Sequence, residues 1–116
     1  MEQRVEVRKS AGLDAVVSCP RFGLFRGTIE NLSIRGLYIR SDTVSMCLDV
    51  PVTITFQPEP GQPLLHCDVE GRVVHQDSAG FGVRLDPLKP ESRKILNKLC
   101  ARLPDMPTSY AWELAG

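Results

Sequence analysis

The chain predicts a mainly β protein: a small six-stranded antiparallel β-barrel followed by a C-terminal α-helix. Three observations predict it. Between residues 13 and 85, short segments alternate apolar and polar side chains at the two-residue period of a strand. Clusters of Pro, Gly, Asn and Asp separate those segments at close spacing, as antiparallel connections require. After Pro90 the period lengthens to that of a helix. At 116 residues the chain is one domain with enough length for a core.

Each element has its own signature. Residues 1–12 are polar without a clear period and read as an N-terminal arm. Ala15, Val17 and Cys19 then alternate with Asp14, Val16 and Ser18 to make the first strand, and Pro20 and Gly23 turn it. Leu24 to Ile29 forms the second strand and Gly36 to Arg40 the third, with the turn Asn31–Gly36 between them. Val52, Ile54 and Phe56 alternate with Thr53 and Thr55 in the fourth. After the Pro58–Gly61 turn, Leu65, Cys67, Val69, Gly71 and Val73 share one face of a long fifth strand. Gly71 marks a bend or bulge there. Asp77–Gly80 turns the chain into Phe81, Val83 and Leu85, and Arg84, of opposite parity, faces solvent.

Pro90 and Glu91 suit a helix first turn, because Pro lacks only an N–H that has no helical partner and an acid complements the positive end. Ile95, Leu96, Leu99 and Leu103 form its apolar stripe, Lys94, Lys98 and Arg102 its polar side, and Pro104 stops it. The barrel and helix thus occupy residues 13–103, and residues 104–116 read as a mobile tail with Trp112 as one anchor.

Composition excludes several classes. Apolar residues make up 42% and charged residues 24%, ordinary for a globular protein, and the formal net charge is zero. No global field draws in long DNA or RNA. The charge is uneven: residues 1–40 carry seven Lys/Arg against four Asp/Glu, residues 41–88 two against seven, and residues 89–102 five against one. Ten of the fourteen cations are Arg, which suits local oxyanion recognition. Cys19, Cys47, Cys67 and Cys100 stand singly, with no C-x-x-C pair, so no metal site is expected. His66 and His75 have no Cys or carboxylate at ligand spacing, and no nucleophile–base pair is apparent, so no enzyme is expected. Charged residues appear from position 2 with no apolar signal region, and no run spans a membrane. A cytoplasmic, membrane-free protein with reduced thiols is the expectation.

Two motifs carry chemistry. Arg4 and Arg8 are four apart before the first strand, and Asn31-Leu32-Ser33-Ile34-Arg35-Gly36 follows about twenty residues later. A guanidinium grips phosphate or a guanine edge through paired N–H donors and stacks on a base. Asn and Ser before Gly make a turn that presents short polar groups and bare backbone. Together they point to a phosphate-rich, purine-bearing small ligand.

These residues resemble the PilZ domain, a bacterial receptor module for cyclic di-GMP. Arg4-Val5-Glu6-Val7-Arg8 matches its R-x-x-x-R motif and Asn31–Gly36 its D/N-x-S-x-x-G motif. Gly80-Phe81-Gly82-Val83-Arg84-Leu85 is similar to a third, weaker stretch. The resemblance spans residues 4–100 and implies a non-enzymatic receptor with cyclic di-GMP as its ligand and no cofactor. It further implies ligand contacts from Arg4, Arg8, Asn31 and Ser33; Arg35, by its place inside the motif loop, is a secondary contact candidate. Gly36 would supply a positive φ or a close ligand approach. Binding would order the arm over the ligand and change the surface offered to a protein partner. On an unattached arm, Arg8→Ala would weaken binding at least tenfold without lowering thermal stability. The alternative is a PilZ-like adaptor for a protein partner in pilus assembly or motility, supported by the Val-Glu-Val spacer and the Trp112 tail. Single-stranded nucleic acid binding ranks below both, since only seven aromatics occur and most hold core parity.

Overall fold

Strand β1 (Lys9–Cys19) starts the fold in a computed structural model that describes residues 8–41 and 45–106. It begins four residues earlier than the apolar alternation indicates. A register shift between Ser10 and Leu13 breaks the parity there, and Gly12 takes φ +69°, a backbone open to glycine. Strands β2 (Gly23–Leu32), β3 (Gly36–Arg40), β4 (Pro51–Phe56), β5 (Cys67–Gln76) and β6 (Gly80–Leu85) follow, and then helix α1 (Pro90–Arg102). All pairings are antiparallel, and the barrel closes in the order β1-β2-β3-β6-β5-β4, with β4 returning to β1 through Ala15–Phe56 to Ser18–Thr53. The six-stranded barrel with a C-terminal helix is the architecture the alternation predicts.

The inward positions of every strand meet in one core, including Val17, Ile29, Leu37, Ile39, Ile54, Val69, Val73, Phe81 and Val83. Met46, in the β3–β4 connection, is also buried. Helix α1 adds Leu96 and Leu99, and Ser92 Oγ donates to the Asp68 carbonyl of β5 at 3.1 Å. Its start carries Pro90 and Glu91, and its last turn carries Arg102, which donates to the Pro58 carbonyl at 2.9 Å. Both ends therefore follow the proline and dipole logic of the sequence, while the N-cap residue Lys89 makes no side-chain capping bond.

Three local expectations change. Leu65 lies outside β5, because its N–H closes a turn on the Gln62 carbonyl. Gly71 is no bulge: it is paired in register with both Val52 and Leu85, and a Cβ there would stand 2.2 Å from the Arg84 carbonyl oxygen. The β5 irregularity lies between Val73 and His75 instead. The chain after the helix is tied down at its beginning, with Ser10 N–H donating to the Pro104 carbonyl and Met106 N–H to the Arg8 carbonyl. Lys9 pairs with Asp105 beside them. Residues 107–116, Trp112 among them, lie outside the described residues.

Candidate functional site

The site grows from a bulge in β2. The register shifts between Ile29 and Asn31 against β3, and opposite the same stretch β1 carries its own shift. An extra residue in one strand reverses the alternation beyond it and re-aims side chains. Ile29, Asn31 and Leu32 are consequently all fully buried, where strict alternation allows no such set. Asn31, expected at the start of a turn, is a strand residue paired with Ser10 on β1 and Tyr38 on β3.

Arg8 closes on it. Its Nε and Nη2 both donate to Asn31 Oδ1, at 3.0 and 2.8 Å, and Nη1 donates to Ser33 Oγ at 3.5 Å. Guanidinium has only donors, so the amide must present its oxygen to Arg8. That leaves Asn31 Nδ2 buried with no hydrogen-bond partner among the described residues. Arg8 itself is only 5% exposed. It is packed into the barrel rather than carried on an unattached arm, so Arg8→Ala is expected to lower stability after all.

The turn is built by Ser33. Its N–H donates to the Gly36 carbonyl at 2.8 Å, and its hydroxyl oxygen accepts from Arg35 N–H at 3.1 Å and Gly36 N–H at 3.3 Å. Ser33 is therefore a turn-holding residue as well as a site residue. Gly36 does not have positive φ. A Cβ there would lie 2.7 Å from the Val83 carbonyl oxygen and 3.5 Å from Arg8 Nη1. The absent side chain makes room for β6 and for the guanidinium. Arg35 is exposed, with its backbone engaged by Ser33 and by Leu85 N–H. Arg8, Asn31, Ser33 and Gly36 are thus brought together, Arg35 borders them, and Arg4 lies outside the described residues.

Register adds neighbours that spacing along the chain does not show. Arg84 is the β6 partner of Gly36 and is exposed, as its parity predicts, so a further cation stands beside the site. Tyr38, paired with Asn31 on one side and Gly82 on the other, donates its hydroxyl to Asp77 Oδ1 at 2.6 Å. That oxygen also accepts from Ala79 and Gly80 N–H, and Asp77 Oδ2 lies 3.2 Å from His75 Nε2. The Tyr38 hydroxyl, helped by those backbone donors and His75, holds the Asp77 carboxyl below its ordinary pKa. Burial pushes the Cys67 thiol up, so it stays protonated and is a poor nucleophile. No group of three or more His, Cys, Asp or Glu is placed to hold a metal among the described residues.

The profile of the PilZ domain family matches residues 2–102. The chain belongs to the PilZ domain family. No curated protein matches it. Among solved structures it is similar to the PilZ domain of CeSA from a cellulose-synthesizing bacterium, at 14% identity and a TM-score of 0.65, over 81% of this chain and 94% of that one. It is also similar to the Bacillus subtilis inhibitor of motility, MotI/DgrA, at 18% identity and a TM-score of 0.64. That match covers 88% of this PilZ chain but only 51% of the motility inhibitor, so the chain spans about half of that protein's length. At such identities the likeness concerns the fold. Among the described residues no helix is long and apolar enough to cross a membrane.

Proposed function

We propose that this PilZ domain is a non-enzymatic receptor for cyclic di-GMP, and that binding alters the surface it offers to a protein partner. The observation that carries the reading is the junction of the two motifs. Arg8, from the first, lies on Asn31 and Ser33, from the second, with Asn31 Nδ2 left as a buried donor without a partner among the described residues. An orphaned buried donor costs about 1–3 kcal/mol, and an acceptor such as a guanine O6 or N7 or a phosphate oxygen would relieve it. Arg84 and Arg35 at the rim supply positive potential for two phosphates. Arg4 adds a second guanidinium from the N-terminal arm, and Gly36 keeps the floor open. The setting would be cytoplasmic, where such a dinucleotide signal acts.

One observation favours a second reading, a PilZ adaptor that works through protein contacts alone. Arg8, Asn31 and Ser33 hydrogen-bond one another, so the motifs also serve the fold. Isothermal titration of the full chain with cyclic di-GMP, with GTP as control, separates the two. The expected result is micromolar or tighter binding that Arg4→Ala weakens about ten- to a hundredfold, the effect of one lost charge-assisted contact. Arg4 is the better probe, because an Arg8 variant also changes the fold's stability. Absence of heat and of any thermal shift at saturating dinucleotide would reject the receptor reading.

A further inference from the structure

The opposite end of β1 carries a surface that the binding site does not use. Phe22 (44% exposed), Leu24 (72%) and Val16 (38%) project from the β1–β2 hairpin, an apolar tip flanked by the exposed Arg21 and Arg26. Isolated exposed apolar residues are ordinary, but three on one hairpin form a patch. Directly beside the tip lies an open cleft of about 390 Å³, with Ser18, Pro20, Thr53, Glu70 and Asp86 among its lining. Register connects the two: Leu24 pairs with Ser18, Ser18 with Thr53, and Thr53 with Glu70, one outward-facing row across β2, β1, β4 and β5. The row runs from an apolar, cationic edge to an acidic one through two small hydroxyl side chains. Among the described residues Arg21, Arg26, Glu70 and Asp86 form no ion pair.

We infer that this end of the barrel is a self-association surface, on which a second copy of the chain seats its β1–β2 tip in the Glu70/Asp86 cleft of the first. A tip that fits a cleft on the same chain, next to it on the same sheet, satisfies the condition for a twofold contact: each copy gives its tip and receives its partner's. Arg21 would meet Glu70 of the other copy while Phe22 and Leu24 leave water. An unrelated partner would explain one half of the row but not both. The zero formal net charge imposes no overall repulsion between copies. Strand β1 separates the tip from Arg8 by about 30 Å at a strand's rise, whereas the acidic side of the cleft approaches the rim of the candidate ligand site, Asp86 following Leu85, whose N–H donates to the Arg35 carbonyl. The inference does not depend on what that site binds.

Sedimentation equilibrium of the full chain tests it, at loading concentrations up to about 1 mM, the weak limit of specific association. A concentration-dependent dimer is expected. Leu24→Asp should leave only monomer, and Arg21→Glu should weaken the dimer at least about tenfold. Adding Glu70→Arg to Arg21→Glu should recover most of that loss, since the swapped charges again face each other across the interface. Each variant alters exposed side chains, and an unchanged melting temperature confirms that it is folded. Monomer throughout the range overturns the inference. So does a dimer indifferent to Leu24→Asp, or a double charge swap no tighter than Arg21→Glu alone.

Discussion

The two ends of strand β1 solve opposite problems. At its start, Arg8 is buried and held by Asn31 and Ser33, residues more than twenty positions away in the chain. At its end, Arg21 and Phe22 are exposed on a hairpin whose strands pair in simple register. The first end turns a charge inward and needs two register shifts and a side-chain-free Gly36 to accommodate it. The second leaves charge and apolar surface outward, where neither contributes much until something covers it. A buried polar contact therefore couples recognition to stability, whereas an exposed one separates them.

That contrast can be broken or sharpened by substitution. Arg8→Ala should have the largest effect, about 3 kcal/mol in urea unfolding, because it removes charge-assisted bonds and leaves the Asn31 carbonyl buried and unpaired. A loss under about 0.5 kcal/mol would mean that the motif is not part of the fold's support. Gly36→Ala should cost about 1–3 kcal/mol, since its Cβ must displace the Val83 carbonyl, and it should perturb Arg8 as well.

Tyr38→Phe should cost about 1 kcal/mol at neutral pH by removing the hydrogen bond to Asp77. The sign with pH follows from the lowered Asp77 pKa: the extra stability is present above the unfolded value near 3.8 and is lost as pH falls through the folded one. The gap between wild type and Tyr38→Phe should accordingly narrow below about pH 4 in acid titrations followed by circular dichroism. A gap that stays constant with pH would show that the carboxylate's charge contributes nothing to the bond. The smallest effect belongs to the far end. Arg21→Glu should change unfolding stability by less than about 0.5 kcal/mol at protein concentrations too low for association.

The comparison with MotI/DgrA and the CeSA domain shows how little sequence this barrel needs in common to be kept, with identities of 18% and 14% at TM-scores near 0.65. Alternation and turn chemistry are patterns rather than particular residues, and that explains why the six strands were legible while several details were not. Asn31 reads as a turn residue from its neighbours Ser33 and Gly36, because those types favour turns. Only the bulge in β2 makes it an interior strand residue. Arg8 reads as an arm residue because residues 1–12 sustain no clear strand period, and its partners are remote. The Tyr38–Asp77–His75 cluster crosses from β3 to the β5–β6 turn, and no local spacing announces it. Arg84 was legible as a surface residue, but its place beside Gly36 required the β3–β6 register.

By itself, then, the sequence determined the six strands, the helix and its ends, and the family to which the two motifs belong. These properties are local: the two-residue and 3.6-residue periods, the φ restrictions of Pro and Gly, and the dipole preference at helix ends act over a few residues. Tertiary structure alone decided that Arg8 is buried, that Asn31 Nδ2 lacks a partner among the described residues, why Gly36 and Gly71 must lack side chains, and that a cationic apolar tip adjoins an acidic cleft. Each of these depends on the offset between strands, and a single inserted residue changes that offset without leaving a mark in composition or period.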